Sequence, residues 1–344
     1  MRRVKLSFFA VCKALGLFSL ARQRTRRQLK ILCYHGFEVA DECSFRPKLF
    51  IKAPQFEQRL ATIRRLGMRV ATLDQAVAQL YEGTLPEDTV VITVDDGFSS
   101  THGLAVPLLR KYDCPATVYV TTYYVEHSAP IFRLVVQYMF DRSGATELVI
   151  SNARWGADRV VNLADAAQAE QAMWECIDFG ERHCTEEERH AISEALGAAL
   201  NIPYRAIVES RMFHLMTAEQ LQSLAADGVS VGLHTQRHVF STDERAQAVR
   251  EIADNRDALK RCGVDAIDHF CYPSGVFDPR QGDWLDEMGV KSSTTCIPGL
   301  NTALTPRHAM HRFLDGDNIH PLEFEAALSG FSDMLRGLLA RSHA

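Results

Sequence analysis

Short apolar runs and longer amphipathic stretches alternate along the chain after residue 28. The apolar runs are rich in β-branched residues, and they include ILCYHGF from Ile31, VVITV from Val90, ATVYVTT from Ala116 and VSVGLH from Val229. Helix-period stretches open near Pro54, Asp74 and Asp243. Strand and helix in alternation predict parallel strands joined by crossover helices. About seven such units favour an α/β fold with a parallel barrel, although an open parallel sheet would give the same pattern.

One region departs from this alternation. From about 141 to 211 the chain is rich in Ala, Glu and His, with one strand-like run, TELVIS. We therefore predict a mostly helical insertion at 141–211 within a single barrel domain that covers 29–344. A capping-box pattern from Thr217 to Gln220 marks the return of the regular alternation.

Composition and charge narrow the function classes. The chain has 344 residues, 47% of them hydrophobic, and a net charge of −5 with mixed signs, so it lacks the basic footprint of a nucleic-acid-binding protein. Its nine cysteines include no C-x-x-C pair. An odd count without metal spacing indicates a reducing compartment.

Residues 1–28 differ from the rest of the chain. Val4, Phe8, Val11, Leu15 and Phe18 form an apolar stripe at helical spacing beside basic residues, which is typical of a helix on an anionic membrane surface. Lys13 and the arginines between 22 and 27 argue against an exported signal peptide. The segment is too short and charged to span a bilayer. We expect a cytoplasmic protein with peripheral contact at the inner face of the membrane, ahead of a secreted or periplasmic one; a helix packed on its own domain is the alternative.

Candidate chemistry lies where predicted strands end. Asp95 and Asp96 directly follow VVITV, and His234 and His238 follow VSVGL. An isolated Asp-Asp-Gly is more often a turn, and two histidines four apart are more often surface residues. Both pairs at strand ends, however, would meet at one edge of a parallel barrel. Two imidazoles and one carboxylate make a three-ligand metal site with open positions.

The sequence resembles the polysaccharide deacetylases of the NodB type, carbohydrate esterase family 4. The first family motif appears as TVDDG (93–97) and the second as HTQRH (234–238). The resemblance implies a distorted (β/α) barrel of about seven strands. It implies that Asp95 is the general base and that the metal ligands are Asp96, His234 and His238.

Two further motifs depart from the family pattern. The third appears as CYPSG (271–275), without the arginine that orients the base in many members. Arg312 or Arg307 could reach that position from another strand, and the backbone N–H of Ser274 would form half of the oxyanion hole. The C-terminal L-x-H motif, which carries the general acid, has no clear match. We therefore expect His35, at the end of ILCYH, to be the acid, with His311 as second choice; His35 could equally be a packing residue.

The resemblance implies a metal-dependent hydrolase that removes N-acetyl groups from amino sugars of a poly- or oligosaccharide, in cell-surface polysaccharide biosynthesis. Zinc is the expected metal, and the donor set would also accept Co²⁺, Ni²⁺ or Fe²⁺. The expected partner is an N-acetylated carbohydrate. Alternatives are a deformylase or O-deacetylase that acts on a lipid-linked sugar, or a non-catalytic carbohydrate-binding descendant.

Overall fold

A parallel sheet of eight strands, seven of them in one continuous order, forms the framework of the fold. The computed structural model describes residues 2–151, 158–265 and 268–342. The twelve strands are β1 (Lys30–Tyr34), β2 (Gly36–Phe37), β3 (Phe50–Ile51), β4 (Arg69–Val70), β5 (Thr89–Val94), β6 (Ala116–Val120), β7 (Glu147–Ile150), β8 (Arg159–Asn162), β9 (Val229–Leu233), β10 (His269–Cys271), β11 (Ser292–Thr294) and β12 (Phe313–Leu314). The main sheet runs β11-β10-β9-β6-β5-β1-β12, and β4 also pairs with β5.

Hydrogen bonds between the two ends of the sheet bring β11 and β12 together. The chain before β12 pairs in parallel with β11 through Thr294 and Met310, and β12 pairs with β1 at Leu32 and Phe313. Every residue of β1, β5 and β6 is buried, as expected for parallel strands covered on both faces. The predicted α/β barrel of about seven strands is therefore confirmed.

Sixteen α-helices surround or extend the described strands. They are α1 (Arg2–Ala14), α2 (Leu17–Thr25), α3 (Glu42–Phe45), α4 (Ala53–Arg65), α5 (Leu73–Glu82), α6 (Val106–Lys111), α7 (Tyr123–His127), α8 (Phe132–Arg142), α9 (Ala166–His183), α10 (Glu186–Leu200), α11 (Tyr204–Glu209), α12 (Ala218–Ser223), α13 (Arg245–Arg261), α14 (Gln281–Glu287), α15 (Pro321–Leu328) and α16 (Phe331–Ser342). The predicted capping box opens α12, where the Thr217 hydroxyl accepts from the Gln220 backbone N–H.

The chain divides into two compact units. The first, the barrel unit, comprises Met1–Glu38, Arg46–Tyr123 and Met216–Ala344; the second comprises Val39–Phe45 and Tyr124–Leu215. The predicted insertion at 141–211 lies within the second unit. That unit holds the hairpin of β7 and β8 and the long helices α8, α9 and α10.

The N-terminal helices α1 and α2 pack on the barrel unit. Phe9, Cys12 and Phe18 are buried in a cluster with Ala326 of α15, and Phe331 of α16 lies 5.0 Å from Phe18 between ring centroids. Phe18 therefore does not share an exposed face with the rest of the predicted stripe. No single described helix is long and apolar enough to cross a membrane; α1 and α2 meet that criterion only as a pair bent by 77°.

Candidate active site

Three strands of the barrel unit deliver polar side chains to one edge of the sheet. His35 follows β1, Asp95 and Asp96 follow β5, and His234 follows β9. Because these strands are parallel, their carboxyl ends meet at the same edge. The structure thus brings together residues that lie up to about 200 positions apart in sequence.

Asp96, His234 and His238 converge on one point. Oδ1 of Asp96 lies 3.2 Å from Nε2 of His234 and 3.4 Å from Nε2 of His238. Two donors that bind one zinc ion tetrahedrally at ~2.1 Å stand about 3.4 Å apart, so the observed separations suit a shared ion. Burial would raise the pKa of Asp96, but hydrogen bonds to His234 and His238 outweigh it and hold that pKa well below its ordinary value. The donor set of two nitrogens and one carboxylate oxygen fits a divalent metal.

Hydrogen bonds on the side of His234 away from Asp96 fix its orientation. Its Nδ1 lies 2.8 Å from the backbone carbonyl of Cys271 and donates to it, which leaves Nε2 as the ring nitrogen that faces Asp96. The backbone N–H of His234 donates to Oδ1 of Asn255, which is fully buried on α13. The Asn255 amide donates to the carbonyls of Val120 and Thr235. This asparagine, which the sequence reasoning missed, ties the ends of β6 and β9 together behind the ligand.

Asp95 is held by a buried arginine. Both oxygens of Asp95 accept from the Arg312 guanidinium at 2.7 Å, and Nε of Arg312 donates to the carbonyl of Thr295 at 2.9 Å. Arg312 is fully buried. Burial opposes ionisation of Asp95, but the charge and hydrogen bonds of Arg312 prevail and keep the pKa of this carboxyl far below its ordinary value. Asp95 is therefore a carboxylate at neutral pH.

Two buried thiols complete the surroundings of Asp95. Sγ of Cys271 lies 3.3 Å and Sγ of Cys33 lies 3.5 Å from Oδ2 of Asp95, and Arg312 also donates to Cys271. Burial raises the pKa of Cys33 well above its ordinary value, so it remains a thiol and donates to the carboxylate. Cys271 thus occupies the position of the missing third-motif arginine, while Arg312 supplies the guanidinium from the chain just before β12.

His35 lies beside the same carboxylate. Its Nε2 is 3.7 Å from Oδ2 of Asp95, and its Nδ1 is buried without a hydrogen-bond partner among the described residues. Burial lowers the pKa of His35, more than the nearby carboxylates raise it. The imidazole is therefore neutral at physiological pH and close enough to exchange a proton with Asp95 after a small movement.

The other candidates lie in different surroundings. Ser274 is exposed in the turn after β10. The ring of His311 lies against the 299–301 loop, with Nδ1 3.4 Å from the carbonyl of Leu300, and it makes no described contact with Asp95. Arg307 stacks on Tyr81 at 5.1 Å from the ring centroid, outside the site. Of the two arginines proposed from sequence, only Arg312 reaches the carboxylate.

Left-handed backbone recurs around these residues. Asp96, Thr235, His238 and Ser274 all have φ between 56° and 69°. Such conformations cost about 1–3 kcal/mol each in a non-glycine residue and persist where the surrounding structure holds them. Gly97, with φ 88°, follows Asp96 and packs on Val120, where a side chain would be crowded. The Asp-Asp-Gly sequence is therefore a turn that also aims two carboxylates.

Comparison with known proteins agrees with this geometry. The sequence model of a family described as polysaccharide deacetylase matches residues 82–146 and 187–293, which include Asp95, Asp96, His234, His238 and Ser274. The polysaccharide deacetylase homologue YxkH of Bacillus subtilis is 29% identical over 94 residues, which cover 27% of this chain and 32% of YxkH. The matched segment thus spans about a third of that relative.

Solved structures share the fold. The Streptococcus pyogenes deacetylase PplD, in complex with acetate, superposes with a TM-score of 0.58 at 18% identity, over 88% of this chain and 98% of PplD. IcaB from Ammonifex degensii superposes with a TM-score of 0.53 at 18% identity, over 88% of this chain and 97% of IcaB. With the family match covering half of the sequence and the paired aspartates and histidines gathered at one end of the barrel, the chain belongs to the polysaccharide deacetylase family.

Proposed function

We propose that this deacetylase is a metal-dependent hydrolase that removes N-acetyl groups from amino-sugar residues of a poly- or oligosaccharide. The observation that carries the proposal is the ionised, arginine-held carboxylate of Asp95 next to the donor set of Asp96, His234 and His238. A base beside a metal site is the arrangement that metal-assisted amide hydrolysis requires.

Asp96, His234 and His238 would hold the ion, and we propose zinc. A bound divalent ion supplies Lewis-acid polarisation of the acetyl carbonyl and lowers the pKa of a coordinated water. The half-exposed imidazole of His238 borders solvent, so the substrate can approach from that side.

Proton movement follows from the two groups that share Oδ2 of Asp95. Asp95 accepts a proton from the attacking water, and its low pKa makes it a ready donor afterwards. His35, neutral at the start and 3.7 Å away, receives that proton and delivers it to the leaving sugar nitrogen. The products are acetate and a free amine, and the proton taken from water ends on the amine. Arg312 keeps the carboxylate oriented throughout.

Ser274 is proposed to stabilise the tetrahedral oxyanion through its backbone N–H. Its left-handed conformation, with φ 56°, turns the peptide just after β10, at the edge where Asp95 lies. A backbone donor can serve this purpose whatever its side chain.

Two alternative functions remain to be compared with the proposal: carbohydrate binding without catalysis, and hydrolysis of a different acyl group. A non-catalytic carbohydrate-binding protein was suggested by the missing third-motif arginine, but Arg312 provides a bidentate guanidinium at the base. A deformylase or O-deacetylase would use the same residues on a different acyl group. A role in cell-surface polysaccharide biosynthesis is part of our proposal and rests on the family.

The test combines metal content with acetate release from N-acetylglucosamine oligomers. We expect one equivalent of metal and acetate release in the wild type, and loss of both in an Asp96→Ala/His234→Ala variant. A His190→Ala/Glu194→Ala variant, which removes an exposed histidine–carboxylate pair of the second unit, is the matched control and should retain both. Metal without acetate release, but with release of formate or of an O-acetyl group, would redirect the proposal to those substrates. Absence of bound metal would refute it.

A further inference from the structure

We propose that α1 and α2 form a docking surface for anionic membranes on the flank of the barrel unit. This inference does not depend on the deacetylase activity. It rests on an apolar stripe that stays exposed after the helices have packed on the barrel, and on basic side chains that stay without ionic partners beside it.

The two faces of α1 have different surroundings. Phe9 and Cys12 face the cluster with α15 and α16 and are each 4% exposed. On the other side, an apolar row at spacings of three and four residues is largely exposed: Val4 (74%), Phe8 (47%), Val11 (57%) and Leu15 (72%). The packing of α1 on its own domain therefore uses a different face from the predicted stripe. A helix that packs on its own domain can therefore also present an apolar face to a membrane.

Apolar side chains of α2 are exposed as well. Leu17 and Leu20 are 36% and 43% exposed, and Arg24 follows at the spacing that places it on the same face. Exposed large apolar side chains scattered singly need no explanation, but six within the first twenty residues indicate an interaction surface.

The charge of residues 1–28 indicates which kind of surface these helices would bind. Residues 1–28 carry eight basic side chains and no acidic one, in a chain whose net charge is −5. Lys5, Lys13 and Arg22 are neutralised by carboxylates of the barrel unit, at 2.7, 2.6 and 2.9 Å. These ion pairs hold the helices in place, and their three cations are not available to bind a ligand.

The other arginines of residues 1–28 leave an excess of positive charge. Arg3 and Arg24 are exposed and make no ion pair with a residue that the structure describes. Arg26 and Arg27 share the single carboxylate of Glu87, at 3.2 and 3.4 Å. An apolar stripe with an excess of guanidinium groups suits the interface of a bilayer that contains anionic lipid. A second copy of the chain fits less well, because the stripe would meet an identical basic surface.

The contacts of the two helices reach both ends of the sheet. Arg2, at the start of α1, donates to the carbonyl of Asn318, which follows β12. The end of α2 lies near Glu87 and Asp88, which precede β5 at its amino end. The helices thus run along the side of the barrel, whereas Asp95 lies at its carboxyl end.

Co-sedimentation of the full chain with lipid vesicles tests the proposal. We expect binding to phosphatidylcholine vesicles that contain about one-third phosphatidylglycerol, and weaker binding as salt is raised. Val4→Ser/Phe8→Ser/Val11→Ser should reduce partitioning by at least about tenfold. The control Val149→Ser/Val160→Ser/Leu304→Ser, which removes three similarly exposed apolar side chains elsewhere, should bind like the wild type.

A second pair of variants tests the charges. Arg3→Gln/Arg24→Gln should lower binding to anionic vesicles by about tenfold, whereas Arg182→Gln/Arg250→Gln, two exposed arginines on α9 and α13, should not. Equal binding of all variants, or no binding to anionic vesicles, would overturn the proposal. So would a concentration-dependent dimer in solution that the Val4, Phe8 and Val11 substitutions dissociate, because the stripe would then belong to a subunit interface.

Discussion

Arg312 binds Asp95 through both carboxylate oxygens, although the two residues lie 217 positions apart. The arginine precedes β12, and its side chain crosses the interior of the barrel to reach the residue that follows β5. A bidentate guanidinium fixes the plane of a carboxylate as well as its charge, which an ammonium group does not. The proposed base is therefore oriented by the residue before β12 and not by an arginine of the CYPSG segment.

Replacement of Arg312 by Lys is expected to lower kcat/KM by roughly 100-fold, because one point charge cannot hold both oxygens of Asp95. Arg312→Met should have a larger effect and should move the acid limb of the pH profile upward. Without the cation, the largest remaining influence on Asp95 is burial, which raises its pKa, so this carboxylate becomes protonated at higher pH. The measurement is kcat/KM for acetate release from pH 5 to 9. An acid limb at the wild-type position in Arg312→Met would show that Arg312 does not control Asp95.

Cys271→Ala serves as the comparison for Arg312. The thiol contacts both Arg312 and Asp95, at 3.1 and 3.3 Å, but the two charge-assisted bonds between them do not depend on it. We expect activity within about threefold of the wild type, since a hydrogen bond to sulfur contributes little beside a bidentate ion pair. A loss as large as that of Arg312→Lys would mean that Cys271 itself positions the base.

Asp95→Asn should separate chemistry from metal binding. The amide keeps the shape of the side chain and leaves Asp96, His234 and His238 intact, so the metal content should remain one equivalent. Loss of the base should reduce kcat by about 10²–10⁴-fold. Metal analysis and single-turnover acetate release on the same preparation provide the check. Full turnover in this variant would exclude Asp95 as the base.

Much of this site could be predicted from sequence because strand periodicity determines where strands end. Asp95, Asp96 and His234 each come directly after an apolar run, and parallel strands bring such ends together. The identity of the arginine could not be predicted. Neighbouring residues in an extended chain point to opposite sides, so either His311 or Arg312 can face the interior, and only the pairing of Phe313 with Leu32 on β1 decides between them.

Asn255 shows a different limit of sequence reasoning. It lies in the middle of α13, a helix with many charged residues, where a polar side chain is normally exposed. Its complete burial depends on the ends of β6 and β9 packing over that helix, and these contacts carry no local pattern. The sequence also does not predict which face of α1 is buried, because periodicity identifies an apolar stripe but not the face that packs on the domain.

His35→Ala should distinguish the acid from a packing residue. The leaving amine of an amide needs a proton, whereas the leaving group of an activated ester does not. We expect kcat/KM for N-acetylglucosamine oligomers to fall by about 100-fold, and hydrolysis of 4-nitrophenyl acetate to fall by less than about threefold. His311→Ala is the matched control and should change neither rate. Equal losses on both substrates in His35→Ala would contradict its assignment as the acid.

Lys30 is expected to make stability depend on pH in the alkaline range. Its ammonium group is buried at the start of β1, donates to the carbonyls of Thr25 and Gln28 at 3.3 Å, and has a pKa that burial lowers to about 8. Between that value and the unfolded pKa near 10.4 the unfolded chain binds more protons, so the free energy of unfolding rises with pH across this window. Below pH 8 both states are protonated and the folded state carries the full cost of the buried charge. Relative to Lys30→Met, the free energy of unfolding of the wild type should therefore increase by roughly 3 kcal/mol between pH 8 and 10.5.

Urea unfolding of both proteins across this pH range is the measurement, with Lys52→Met, at an exposed lysine, as the control. Parallel curves of unfolding free energy against pH for the wild type and Lys30→Met would show that Lys30 titrates normally in the folded protein.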